Sequence, residues 1–160
     1  MDDSITWPLA YNVIRRRSTH NTFGMVRKRA DGTDRPHQGW DFEAVIGTPC
    51  FAICDGSVVI LRDQGDYGLQ LAIEFEFKNQ LLYAFYAHLE KVFVTLGTSV
   101  KRNDLIAKTG ESGNAKGMGK ADQHLHFEIR TQLQPRMGLH DRVSPGYVFG
   151  NCPLKQGVAG

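Results

Sequence analysis

The chain has 160 residues, 41% apolar and 22% charged, with a net charge of +2. That length supports one domain with a real core. The mild charge argues against the dense basic face of a nucleic-acid binder, and no stretch approaches the apolar length that spans a membrane. The three cysteines, Cys50, Cys54 and Cys152, are an odd count, so they cannot all pair within the chain. Cys50 and Cys54 share one candidate strand, about 13 Å apart at strand rise, which is beyond disulfide reach. Both read as small buried residues.

The N-terminus starts acidic, at Asp2 and Asp3, without the apolar run of a cleaved export signal. Residues 1–36 are polar and turn-rich, and the basic runs at 15–17 and 27–29 read as solvated surface. From His37 the texture changes to strands. Candidates lie at 40–45, 50–54 and 57–62, separated by turns at Gly47-Thr48-Pro49 and Asp55-Gly56. In 69–77, Leu69, Leu71, Ile73, Phe75 and Phe77 alternate with Gln70, Ala72, Glu74 and Glu76, which predicts a strand with one wet face. Lys78-Asn79 closes a hairpin onto residues 80–88. That strand is apolar on both faces and so central and covered, with His88 at its end on the Tyr86 face. Residues 97–108 read as a turn and a short strand with Leu105 and Ile106 inward. The glycine-rich loop 110–123 is too long for a plain connector and reads as a functional wall or flap. It lacks the spacing of a phosphate loop.

Residues 124–130 predict another strand. Side chains alternate, so Leu125, Phe127 and Ile129 enter a core while His124, His126 and Glu128 share the other face. That face is either the polar outside of a half-buried sheet or a metal site. The tail carries Pro135, Pro145 and Pro153. Residues 143–149 are expected to pack back on the sheet edge, and the last few residues to be disordered. No stretch shows helical periodicity. Short strands with Gly and Pro turns predict an all-β fold, a mostly antiparallel sandwich or barrel.

A second stretch, His37-Gln38-Gly39-Trp40-Asp41-Phe42, supplies an imidazole and a carboxylate. On a straight strand they would stand about 13 Å apart, and a bend at Gly39 shortens that distance. His37, Asp41 and one of the later histidines make a set of two nitrogens and one oxygen. Three protein ligands plus an open position is the pattern of catalytic zinc. The other late histidine and His88 are then free for proton transfer or oxyanion stabilisation. The same set also describes the facial triad of iron oxygenases, which would not need His88 or a doubled histidine.

Three motifs now stand in order: His37-x-Gly39-x-Asp41-Phe42, Tyr86-Ala87-His88-Leu89 and His124-Leu125-His126-Phe127-Glu128. Together with Phe23-Gly24, Gly47-Thr48-Pro49, Asp55-Gly56-Ser57-Val58 and Thr109-Gly110, they resemble the M23 zinc metallopeptidases of the lysostaphin and LytM type. The match runs from about residue 19 to 131 and leaves 132–160 as a C-terminal extension of a single domain, 1–160. The resemblance implies that His37, Asp41 and His126 bind one zinc ion and that His88 and His124 are catalytic. It also implies a groove over the metal and cleavage of peptidoglycan peptides, in stem or cross-bridge. Zinc would polarise the scissile carbonyl and acidify water. Glu128 is either a partner behind His126 or an exposed strand carboxylate. Tyr86 is expected in the core. His20 and His140 match no motif and read as surface, with His20 nearer the groove rim.

Family members usually carry an export signal or a larger precursor. The implied place of action is the periplasm or cell wall, reached by a non-Sec route or from a trimmed chain. One expectation is an antibacterial toxin delivered by a secretion machine, with a cognate immunity protein. The alternative is a non-enzymatic regulator of cell-wall amidases on the same fold. Such degenerate members lose metal ligands, and here all three are present.

Overall fold

The computed structural model describes residues 5–160. The acidic start at 1–4, part of the expectation about export, lies outside the described residues. The strands in chain order are β1 (Tyr11–Asn12), β2 (Gly24–Lys28), β3 (Asp34–His37), β4 (Trp40–Glu43), β5 (Pro49–Phe51), β6 (Gly56–Gln64), β7 (Gly68–Phe77), β8 (Gln80–Val92), β9 (Ser99–Val100), β10 (Leu105–Thr109), β11 (His124–Arg130), β12 (Arg142–Val143) and β13 (Val158–Ala159). Nine of them join one sheet, ordered β12-β11-β8-β7-β6-β9, with β4 on β11 and with β10 bridging β5 and β8. Every pairing in it is antiparallel. The expected all-β, antiparallel class is therefore observed. Among the described residues, helix is confined to α1 (Gly146–Phe149) and three 3-10 turns.

β8 sits at the centre because its residues are apolar on both faces. Leu82, Ala84 and Tyr86 enter the main core with Trp40, Phe42, Leu71, Ile73, Leu125 and Phe127. Phe85 and Ala87 face a smaller cluster with Ile60 and Ala72, against which Tyr67 packs. The hairpin from β7 turns at Lys78 and Asn79, whose φ of 51° and 63° suit a two-residue turn matched to strand twist.

Several expectations change. The predicted wet face of β7 is closed at its first half, where Gln70 and Ala72 are buried. Phe85 and Ile60 cover Ala72 there, and Gln70 bonds the Gln64 and Gly68 carbonyls. Leu105 is 46% exposed while Ile106 is buried, because neighbours on a strand face opposite ways. Residues 143–149 do return to the sheet, β12 on the edge of β11, but 146–149 form a helical turn. The C-terminus is ordered: β13 pairs with β1. The cysteines are all free, with Cys50 buried and Cys54 half-buried. No helix of the described residues is long and apolar enough to cross a membrane.

Candidate metal centre

Ladder register brings distant residues together. β11 lies between β8 on one side and β4 on the other, with Asp41 directly opposite His126 and Ala87 opposite it on the far side. His37 ends β3, and the chain bends through Gly39 into β4. A Cβ on Gly39 would lie 2.1 Å from the Phe127 carbonyl oxygen and 2.9 Å from Glu128 Cγ. Only glycine lets that bend approach β11.

The three donors meet at one carboxylate oxygen. Asp41 Oδ1 lies 2.9 Å from His126 Nδ1 and 3.2 Å from His37 Nε2. The ligand atoms of His37, Asp41 and His126 all fall within 4.8 Å of one another. His124 Nε2 stands farther off, 3.8 Å from Asp41 Oδ1. Of the histidine pair, His126 is therefore the one grouped with His37 and Asp41. The supposed polar outer face is buried: His124 is 4% exposed, His126 5% and Glu128 0%.

The other two imidazoles face the same space. The His88 ring centroid is 5.0 Å from that of His124 and 6.0 Å from that of His126. Nδ1 of His88 donates to the Ser112 carbonyl, and Nδ1 of His124 to that of Asp122, both at 2.8 Å. A carbonyl oxygen only accepts, so Nδ1 carries the proton and Nε2 keeps its lone pair. Nδ1 of His37 likewise donates to the Thr22 carbonyl at 2.8 Å, leaving its Nε2 free toward Asp41. Burial pushes His88 down to about 4, helped by the charges of His126 and His124. Burial also lowers His124 and His37. These rings are neutral at pH 7.

His88 is not on the Tyr86 face as expected. Tyr86 is wholly buried and donates to the Phe51 carbonyl. Between Tyr86 and Leu89, β8 takes one more step than β7 takes between Leu71 and Leu69, and His88 has a φ of 60°. This is a β-bulge, whose extra residue shifts the alternation and re-aims His88 into the cleft.

Behind each end of the His126 ring stands a carboxylate. Nε2 donates to Glu128 Oε2 at 2.7 Å, so Glu128 is a buried partner and not an exposed strand carboxylate. Glu128 also accepts from Tyr67 at 2.7 Å and from Arg130 Nε and Arg142 Nε, each at 2.8 Å. Burial alone would raise Glu128, but the His126 bond and the two guanidiniums hold it well below the usual carboxylate range. Burial alone would lower His126; its bonds to Asp41 and Glu128 outweigh that and hold it up at about 9. A cation at Nδ1 would take the place of that proton.

The basic runs are not plain solvated surface. Asp41 Oδ2 accepts from Arg15 at 3.0 Å and from Arg27 at 2.9 Å, which leaves Oδ1 to the histidines. Arg16 and Arg17 stay on the surface, on Asp122 and Glu43. Sequence reading also missed Tyr67, Arg130 and Arg142. The signal for Arg130 was present, since it continues the two-residue period of His124, His126 and Glu128. Nothing in the local sequence marks Arg15 or Arg142.

The centre floors a cleft of about 460 Å³ whose walls include Arg35, Tyr67, Asn114, Met118 and Met137. Asn114 and Met118 belong to the loop 110–123, which is the expected wall. His20 and His140 are exposed, and neither lines the cleft.

Two imidazoles and a carboxylate converge on one point, and neutral imidazoles overlook it from the open side. Two nitrogens and one oxygen with an open side fit zinc of the catalytic type. Residues 35–137 match the model of peptidase family M23, and the chain belongs to that family. It is 37% identical to the peptidoglycan DD-endopeptidase ShyB of Vibrio cholerae, over 62% of this chain and 22% of that protein. A zinc-containing peptidase from Vibrio cholerae superposes with a TM-score of 0.61 at 34% identity, covering 78% of this chain and 37% of the other. The catalytic domain of lysostaphin from Staphylococcus simulans gives a TM-score of 0.64 at 25% identity, covering 81% and 90%. The chain spans 21% to 26% of the length of curated relatives such as these from Vibrio, Buchnera and Haemophilus.

Proposed function

We propose that this chain is a zinc-dependent endopeptidase that hydrolyses peptide bonds in bacterial peptidoglycan. His37, Asp41 and His126 would hold one zinc ion, and His88 and His124 are the catalytic histidines. The observation that carries this is the convergence of the three donor atoms beneath two neutral imidazoles. When bound, the ion supplies Lewis-acid polarisation of a carbonyl and makes water a nucleophile near neutral pH.

The rest falls to the chain itself. Arg15 and Arg27 hold Asp41 Oδ2, and Glu128 holds His126 Nε2, so donor orientation is fixed beforehand. The Ser112 and Asp122 carbonyls aim the Nε2 lone pairs of His88 and His124. One of these histidines accepts the proton of the attacking water and returns it to the leaving amine. The other keeps its Nδ1–H on a backbone carbonyl and must take a proton from solvent at Nε2 before it can donate to the tetrahedral oxyanion.

The relatives' names support the substrate, since ShyB is a peptidoglycan DD-endopeptidase. The place of action follows the substrate, in the periplasm or cell wall. We also propose that residues 1–160 act as one peptidase domain, because the segment after residue 131 returns to the same core. Phe149 stacks on Trp7 at 4.3 Å and packs against Trp40 and Phe127.

The test is digestion of purified peptidoglycan with mass analysis of the fragments, with and without a chelator. Fragments that vanish with chelator and return with zinc are expected. Intact peptidoglycan beside stoichiometrically zinc-loaded protein would defeat the proposal, and protein that binds no zinc would favour the regulator.

A further inference from the structure

The bulge that turns His88 into the cleft is fastened from outside β8. His88 takes a φ of 60°, where a side chain is strained, and such a residue persists only when its surroundings over-determine it. Its backbone N–H donates to the Tyr67 carbonyl at 2.9 Å, and its carbonyl accepts from Gly110 N at 2.8 Å. Ser112 supplies the rest. Its hydroxyl donates to the Leu89 carbonyl at 2.8 Å and accepts from Leu69 N at 3.0 Å. Leu69 and Leu89 are ladder partners, the pair at which β7 and β8 come back into register beyond the bulge. One hydroxyl thus ties both strands at the point of mismatch, while the carbonyl of the same residue takes the Nδ1 proton of His88 at 2.8 Å.

Nothing stands between this residue and the strands it ties. Gly68 opens β7, and a Cβ there would lie 2.5 Å from Ser112 Oγ and 2.4 Å from Gly113 N, so the loop backbone rests directly on the strand. Asn114 N extends the seam, donating to the Asp66 carbonyl at 2.8 Å. The hydroxyl commits both its proton and a lone pair to main chain, and alanine would replace neither. We infer that Ser112 is a positioning residue for the peptidase reaction. Its hydroxyl staples the β8 bulge, so that its own carbonyl fixes the His88 ring with the proton on Nδ1 and the Nε2 lone pair left to the cleft. The loop 110–123 then serves His88 as well as walling the cleft. This rests on the peptidase function proposed above.

The test compares Ser112→Ala and Ser112→Thr with wild type, each as the zinc-loaded full chain, on a cross-linked muropeptide dimer. Ser112→Ala should lose about 10-fold in kcat, the upper worth of one neutral hydrogen bond, with KM and zinc content unchanged. Ser112→Thr keeps the hydroxyl and should recover most of that loss. Long-range nitrogen–proton NMR of the metal-free proteins reads the His88 ring directly. The Nδ1–H tautomer is expected in wild type and Ser112→Thr, and a mixture with Nε2–H in Ser112→Ala. Ser112→Cys, whose thiol is a weak donor and acceptor, carries the same comparison where the alanine variant does not fold. Val100→Ala, which truncates a buried core residue on β9, controls for stability and should keep both kcat and tautomer. Wild-type kcat in Ser112→Ala, an unchanged tautomer there, or an equal loss of kcat in Val100→Ala overturns the staple while the peptidase function stands. Wild type that cleaves no dimer overturns the peptidase function, and the tautomer alone then decides the staple.

Discussion

Glu128→Gln isolates the carboxylate that organises the back of the centre. The substitution keeps size and removes the charge, and it turns one acceptor oxygen into a donor that faces other donors. Arg130 and Arg142 have side chains 3% and 4% exposed and both lean on Glu128. Neither can shed its proton to escape. Removing one partner of a buried pair costs about 3–5 kcal/mol. Arg142 also donates to the Arg136, Gly138 and His140 carbonyls, and Arg130 lies 3.6 Å from the Phe85 ring centroid, so the lower end, about 3 kcal/mol, applies. For a chain of this length that is roughly a 6–12 °C drop in Tm. Urea unfolding of the metal-free protein measures it directly. The sign with pH is fixed. Glu128 is depressed in the folded state, so its contribution is complete above the unfolded value of about 4.3 and fades as pH falls below it. Wild type and variant should converge in acid. Zinc affinity, from competition with a chromophoric chelator, should fall about 10- to 100-fold, as for other partners behind a metal ligand. A variant within about 1 kcal/mol of wild type at pH 7, with a difference that does not shrink in acid, would show that the two guanidiniums do not depend on this charge.

His124→Ala should keep its zinc by elemental analysis yet lose about 100-fold or more in kcat, whereas His126→Ala should lose both; equal zinc loss in the two would mean the pair is wrongly assigned. Gly39→Ala should cost about 1–3 kcal/mol or more and weaken zinc binding in parallel, because its Cβ would meet the Phe127 carbonyl at 2.1 Å; thermal melts with and without zinc check both. Asp141, bonded to Arg136, sits at about 2. Its carboxyl carbon should therefore titrate there by NMR, with the linked stability present above the unfolded value near 4 and lost as pH falls through 2. In Arg136→Ala that titration should move up toward 3.8, the value without such a partner.

Much of the fold and centre was legible because period and chemistry agreed. Leu125, Phe127 and Ile129 are apolar and buried, so the opposite face of β11 had to hold His124, His126 and Glu128 together. Gly39 was readable as a bend because a residue without Cβ permits close approach, and the β11 backbone is what approaches. Lys78 and Asn79 marked a turn between two alternating runs. What local sequence carries well is which side of a strand a residue occupies.

What it carries poorly is any feature set by a neighbour's register. His88 follows Tyr86 by two, and strict alternation sends it to the core; one extra residue in β8 relative to β7 reverses that. No composition signal announces a bulge, since its cause is the mismatch between two strands. The basic runs show the same limit from the side of charge. Arg15 and Arg27 look like their solvated neighbours Arg16 and Lys28. They differ only in that the fold sets Asp41 Oδ2 before them, 26 and 14 residues away. A carboxylate that must offer one oxygen to histidines while buried needs its other oxygen neutralised. The requirement is visible in the sequence at Asp41, but the residues that meet it are fixed by where β2 and the turn at 15–17 come to rest. Basic runs near a candidate ligand strand are therefore better weighed as possible counter-charges to the buried acid than dismissed as solvent-facing.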